Sequence, residues 1–119
     1  MMANSQQFAQ AGALIIPSLQ NYINVLEADY QNQTAAPPET RAAMATAIRR
    51  LREYLFGLQN AQLQAADESE ELKRAIADLK SANADIRSEI NSAKEFQENV
   101  EAAAAIADII QRAIGLALA

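Results

Sequence analysis

The chain of 119 residues contains neither cysteine nor histidine. Their absence excludes thiol redox chemistry, Cys/His zinc sites, Ser-His and Cys-His nucleophile pairs, and the Glu-x-x-His motif of di-iron helical bundles. Paired carboxylates could still act as acid and base, but they need a pocket, and the composition indicates none. We therefore expect no catalytic residues, no cofactor and no metal ion, and we interpret the chain as a non-enzyme.

Residues that interrupt helices or favour strands are also scarce. Glycine and proline occur three times each, tryptophan is absent, and there are only three phenylalanines, three tyrosines and two valines. Alanine instead occurs 27 times, and it is the residue that enters a helix at the lowest cost. With so many small residues, the core must be a narrow seam between closely packed helices. The composition predicts an all-α fold in a single domain over residues 1–119.

The formal net charge is −5, and the excess of acid lies in residues 67–119. An acidic chain without a basic stripe lacks the electrostatic footprint of a nucleic-acid-binding protein, so we expect no nucleic-acid partner. The first residues carry no basic side chain of the kind that begins a signal peptide. The most apolar stretch, 100–119, contains three charged residues and is a poor candidate for a membrane span. These features predict a soluble, cytoplasmic protein.

A few local signals divide the chain into helical segments. Pro17 either begins a helix or kinks a longer one. A polar run that ends in Pro37-Pro38 predicts a loop at 34–38. Residues 67–70, Asp-Glu-Ser-Glu, have the pattern of a capping box, and Ser92 with Glu95 offers a second possible helix start. The predicted segments are about 5–33, 39–66, 68–90 and 93–118, with lengths that suit an up-down-up-down bundle.

Apolar residues recur at steps of three and four through much of the chain, in the heptad pattern of helices that pack side by side. If the chain reverses near Asp67, facing residues have numbers that sum to about 134, and Leu55 then faces Leu79. The pattern favours an antiparallel helical hairpin of 39–66 with 68–90, with heptad (coiled-coil-like) packing, extended to a three- or four-helix bundle. One continuous helix over 39–118, about 120 Å long, is the alternative, because the heptad phase never slips. The core positions of the predicted hairpin are Met44, Ile48, Leu51, Leu55, Leu58, Leu72, Ile76, Leu79, Asn83, Ile86 and Ile90.

Asn83 is the one polar residue among these core positions. A buried amide needs a hydrogen-bond partner and penalises wrong pairings, so it can set the register or the oligomeric state of packed helices. The simpler interpretation is a partly wet layer in which Asn83 reaches solvent.

The final segment is apolar on more than one side, which suits a bundle centre, an oligomer interface or an amphipathic helix on a membrane. Membrane-surface helices usually carry Lys and Arg on their polar face, whereas the polar residues here are mainly acidic. We therefore interpret the chain as a helical interaction or structural module that forms a homo-oligomer or binds another helical protein. The alternative is a membrane-surface or envelope-associated protein that uses the apolar helix 100–118. The predicted interface residues are Val100, Ile106, Ile110, Ile114 and Leu118.

Two charged clusters remain, one basic and one acidic. Arg49, Arg50 and Arg52 could bind phosphate or an acidic partner, but they point in different directions on a helix, which favours ion pairs. The expected partners are Glu53 and the acids of segment 68–90. The acidic cluster could bind a divalent cation through its carboxylates, but charges along a helix more often form a solvated face. Its members are Glu95, Glu98 and Glu101.

Overall fold

The computed structural model describes residues 4–64, 70–91 and 94–117. The elements in these ranges are four α-helices that pack against one another, which confirms the predicted all-α class. The predicted capping box at 67–69 and the possible cap at Ser92 lie outside the described residues. The helices are α1, Asn4–Asn32; α2, Pro38–Gln64; α3, Glu70–Ile90; and α4, Phe96–Ala117.

Pro17 lies inside α1, on its exposed side, so the helix does not begin there. A proline within a helix removes one backbone hydrogen bond, which is best tolerated where water can reach the freed carbonyl. In the same turn, Ser18 Oγ donates a hydrogen bond to the carbonyl oxygen of Leu14, at 3.3 Å. Of the two alternatives predicted for Pro17, the longer helix that contains it is therefore the one that forms.

An arginine of α2 closes the turn that follows α1. Arg41 Nη1 donates hydrogen bonds to the carbonyl oxygens of Tyr30 and Gln33, at 2.8 and 2.7 Å. Its guanidinium also lies over the Tyr30 ring, 4.2 Å from the centroid. A cation at the C-terminus of a helix satisfies the last carbonyl groups and complements the helix dipole. Arg41 thus fastens the start of α2 to the end of α1.

Each helix packs against two others, and these contacts give the order α1, α2, α4, α3 around the bundle. Short connections make α1 antiparallel to α2 and α3 antiparallel to α4. Helices α2 and α4 are parallel, because Arg50 pairs with Asp108 and Gly57 approaches Ile114 further along both helices. Among the described residues, α2 and α3 are not one of the packed pairs. They lie across the diagonal of the bundle.

The predicted hairpin of 39–66 with 68–90 is therefore wrong, and so is the continuous helix over 39–118. Leu79 is buried, whereas Leu55, its proposed partner, is only half-buried. A heptad seam specifies which side of each helix is buried, but in a four-helix bundle that side faces a core shared with three other helices. The pattern alone does not decide which helix becomes the immediate neighbour.

One continuous core runs through a bundle with overall dimensions of 51 × 23 × 18 Å. Alanines such as Ala75, Ala82, Ala103 and Ala107 are buried between the larger side chains and let the helices approach closely. Most of the predicted seam residues of α2 and α3 are buried in this core. The largest fully buried side chains are Phe8, Ile15, Leu19, Leu26, Met44, Leu51, Leu58, Leu79, Ile86 and Ile110.

Candidate interaction face

The predicted interface residues of the final helix lie mostly inside the bundle. Val100, Ile106 and Ile110 are buried in the core, and Ile114 is half-buried against it. Leu118 lies outside the described residues. Because α4 packs this apolar side against α2 and α3, these residues do not form the exposed patch that the sequence predicted. The apolar side of α4, which the sequence predicted to contact a partner, packs inside the bundle instead.

The outward side of α4 is polar and acidic, with Glu98 and Glu101 exposed and Glu95 exposed just before the helix. Within the described ranges, no three acidic side chains gather closely enough to hold a metal ion. In the same ranges, every helix is too short or too polar for a membrane span.

Asn83 is half-buried on α3. Its Oδ1 atom is shielded from solvent and has no hydrogen-bond partner among the described residues. A buried, unpaired amide oxygen destabilises the fold that contains it. A register-setting role for Asn83 needs a partner for this oxygen and stays a prediction.

The three clustered arginines of α2 point to different neighbours. Arg50 Nη2 donates to Asp108 Oδ1 of α4 at 2.6 Å, and Arg52 forms an ion pair with Glu27 of α1. Arg49 is exposed and has no ion-pair partner in the described part of the chain. Two of the three arginines form ion pairs, but not with Glu53 or the acids of segment 68–90 that the sequence predicted. Their acids come from α1 and α4 and not from α3, because α3 lies across the diagonal.

Phe56 is the most exposed large apolar side chain in the described part of the protein, at 72 %. It lies on the outer side of α2, one turn after Arg52 and two turns after Arg49. Leu14 and Val25 are also exposed, at 64 % and 41 %. They lie three turns apart on the side of α1 that faces away from α2, so they do not extend the surface around Phe56. Exposed aromatic residues with neighbouring arginines are typical of interface centres.

Two open hollows lie in the groove between α1 and α2, and Arg52 and Leu55, the neighbours of Phe56 on α2, line the second. The first has a volume of about 280 Å³ and the second about 370 Å³. Glu27 and Arg52 line both, so their ion pair forms the ridge between the hollows. We call this groove, together with Phe56, the α1–α2 face. The other lining residues are Tyr30, Gln31, Ala45, Ile48 and Arg49 in the first hollow, and Gln20, Ile23, Asn24 and Leu55 in the second.

The α1–α2 face carries positive charge although the whole chain is acidic. Arg41, Arg49 and Arg52 lie on this side of α2, and Glu27 is the acid that faces them from α1. With Glu53, which is exposed one turn after Arg49, the net charge of these five side chains is still positive, opposite in sign to the −5 of the chain. Clefts lined by one sign of charge attract ligands of the other sign.

A second polar cluster lies where the end of α3 and the start of α4 meet α1. Lys94 Nζ donates to Glu89 Oε1 at 2.6 Å, and Asn99 Nδ2 donates to Asp29 Oδ2 at 3.0 Å. The buried Tyr22 hydroxyl and Glu89 Oε2 have no hydrogen-bond partner among the described residues. Burial, and to a smaller extent the Glu89 carboxylate, raises the pKa of the Tyr22 phenol well above its ordinary value. This cluster ties the α3–α4 connection to α1.

No protein-family model matches the chain, and no curated protein and no solved structure matches it either. The fold defines the class as an all-α bundle of four helices, an architecture that serves many unrelated functions. Function must therefore be argued from the α1–α2 face itself.

Proposed function

We propose that this chain is a non-enzymatic helical interaction module that binds another helical protein through its α1–α2 face. The observation that carries the proposal is the exposure of Phe56, which adjoins on α2 two hollows lined by both apolar and polar side chains. Apolar surface that is rimmed by polar residues and left in contact with water commonly marks a binding site. A groove between two helices can accept an amphipathic helix, which buries its apolar side against the groove floor.

The rest of the described surface offers no comparable combination. Leu14 and Val25 are exposed singly, and single exposed apolar side chains are ordinary on soluble proteins. The outer side of α3 is small and polar, with exposed Ala77, Ser81 and Ala84. The α1–α2 face is the part of this surface where an exposed aromatic ring, unpaired positive charge and concave shape occur together.

Site-specific photo-crosslinking tests the proposal. Replacement of Phe56 by the photoreactive residue p-benzoylphenylalanine should give a defined adduct with a helical protein in the native host, identified by mass spectrometry. The matched control carries the same residue at Leu14, which is equally exposed but lies outside the α1–α2 face. The proposal fails if the two positions give the same adducts, or if position 56 gives none.

Self-association is a second candidate, supported by the same exposed ring. Closed twofold dimers are the commonest protein assemblies, and a large exposed aromatic residue is a frequent centre of such contacts. The contact would then use Phe56 and not the buried residues Val100, Ile106 and Ile110. In this case the crosslinked species from position 56 has twice the monomer mass of 12.9 kDa.

The membrane-surface alternative has less support. It requires the apolar side of helix 100–118 to face lipid, and that side contains the buried Val100, Ile106 and Ile110. To present them, α4 would have to leave its contacts with α2 and α3.

A further inference from the structure

We infer that the partner of the α1–α2 face is an acidic amphipathic α-helix with two large apolar side chains seven residues apart and a polar residue between them. This inference rests on the proposed function and specifies the partner's chemistry. It follows from three features of the face: the distance between the two hollows, the ion pair that separates them, and the sign of the surrounding charge.

The larger apolar residues that line the two hollows have the same spacing on both walls of the groove. Ile48 lines the first hollow and Leu55 the second, seven residues later on α2. On the antiparallel α1, Tyr30 lines the first and Ile23 the second, again seven residues apart. At a rise of 1.5 Å per residue, the two apolar residues on each wall are about 10.5 Å apart along their helix. A helix that lies along the groove presents side chains with this separation at positions i and i+7.

The ridge between the hollows sets the chemistry of the middle of the partner helix. The Glu27–Arg52 ion pair lies there and lines both hollows. A large apolar side chain over this pair would remove water from two charges without replacing their hydrogen bonds, which is costly. A small or polar residue at i+3 or i+4, such as Ser or Gln, leaves the pair solvated or adds a hydrogen bond to it.

The charge of the partner follows from the arginines around the first hollow. Arg49 lines it and has no ion-pair partner among the described residues, and the guanidinium of Arg41 binds the carbonyl oxygen of Tyr30, another residue of the lining. Carboxylates on one flank of the partner helix can form charge-assisted hydrogen bonds with Arg49. A basic helix would instead be repelled, so this contact discriminates between partners.

Fluorescence anisotropy with labelled peptides tests the inference. The probe is a helical peptide of about 21 residues, or six turns, with two leucines seven residues apart, glutamine between them and glutamates on one flank. One comparison peptide has lysines in place of the glutamates, and another has its leucines five residues apart, on different sides of the helix. We expect the acidic, seven-spaced peptide to bind at least about tenfold more tightly than either, with the advantage over the lysine peptide reduced by salt.

Charge reversal in the protein supplies the matched controls. Arg49→Glu should weaken binding of the acidic peptide by about tenfold or more and strengthen binding of the lysine peptide. Arg74→Glu makes the same change on the exposed side of α3, away from the groove, and should leave both affinities unchanged. Circular dichroism checks that both variants keep the helical fold.

The outcomes separate the two proposals. If position 56 crosslinks to a partner but the protein binds all three peptides equally, the inferred partner chemistry is overturned and the interaction face stands. If neither crosslinks nor peptide binding occur at this face, both are overturned. An Arg74→Glu variant that loses binding as strongly as Arg49→Glu would mean that net charge, and not the groove, attracts the peptide.

Discussion

Leu51 and Leu55 occupy the two different core positions of the heptad pattern on α2, and the fold buries them differently. Leu51 is fully buried in the core, whereas Leu55 is half-buried in the floor of the second hollow. Leu51→Ala should therefore lower the free energy of unfolding by about 2–5 kcal/mol, the usual range for a truncated core leucine. Leu55→Ala should cost clearly less, because water already reaches part of its side chain. Urea unfolding followed by circular dichroism measures both, and equal losses would contradict the difference in burial.

Tyr22 gives the fold a pH dependence in the alkaline range. Burial raises the pKa of its phenol, so above about pH 10 a tyrosine in the unfolded chain ionises while Tyr22 in the fold stays protonated. The unfolded state then binds fewer protons than the folded state. The contribution of Tyr22 to the free energy of unfolding is therefore fully present below about pH 10 and is lost as the pH rises further. The slope approaches about 1.4 kcal/mol per pH unit from this one group.

The matched variant for this effect is Tyr22→Phe, which keeps the ring and removes the ionisable group. Its free energy of unfolding should fall less steeply than that of the wild type between about pH 9 and pH 11. The variant also removes a buried hydroxyl that has no hydrogen-bond partner among the described residues, so its cost at neutral pH should be small. Parallel stability curves for the two proteins would show that Tyr22 ionises equally well in the folded state.

At the scale of the helices, the neighbours of α2 can be tested by disulfide formation. A Cβ atom at position 57 would lie 3.0 Å from Cδ1 and 3.9 Å from Cγ1 of Ile114, so Gly57→Cys with Ile114→Cys should oxidise within one chain. A pair at Leu55 and Leu79 joins helices that lie across the diagonal and should oxidise much more slowly. The native chain has no cysteine, so no other thiol interferes. The predicted hairpin would reverse this order of rates.

The boundary between α1 and α2 follows from a local signal in the sequence, the polar run before Pro37-Pro38. The neighbours of each helix do not follow from such signals. The heptad positions of Met44, Leu51 and Leu58 specify a buried side, and a pairing about Asp67 and a diagonal bundle both satisfy it.

The candidate face was harder to predict than the core. The apolar residues of the final helix predicted an interface there, but they pack against α2 and α3. The position of Phe56 could have been recognised from the sequence. It lies outside the heptad seam of Leu51, Leu55 and Leu58, on the same side of α2 as Arg49. An aromatic residue that is out of phase with the core of its own helix indicates a contact beyond that core.

At the scale of the whole molecule, charge is distributed unequally over an acidic chain. Arg50 with Asp108, Arg52 with Glu27 and Arg112 with Asp78 join neighbouring helices around the bundle. Exposed pairs of this kind contribute little to stability, typically below about 1 kcal/mol each. In the part of the chain that the structure describes, their arrangement leaves Arg49 beside the groove and Glu98 and Glu101 on the outward side of α4 without an ion-pair partner. The molecule therefore presents faces of opposite sign to its surroundings, which would orient the approach of the charged partner that we propose.

Two substitutions to glutamate decide whether self-association, if it occurs, uses the final helix or the α1–α2 face. Ile110 is 0 % exposed, so Ile110→Glu places an unpaired carboxylate in the core. Such a group costs several kcal/mol, a large part of the roughly 5–15 kcal/mol that stabilises a small domain. This variant should lose cooperative thermal unfolding.

Phe56→Glu changes a side chain that is 72 % exposed, and it should leave the thermal midpoint nearly unchanged. If the wild type has a mass above 12.9 kDa by light scattering, this variant should bring the mass down to that of the monomer. If Ile110 lay in the interface that the sequence predicts, Ile110→Glu would instead shift the mass towards that of the monomer. A folded, monomeric Ile110→Glu variant would mean that α4 faces a partner in solution, because a bundle that buries Ile110 cannot accept the charge and stay intact.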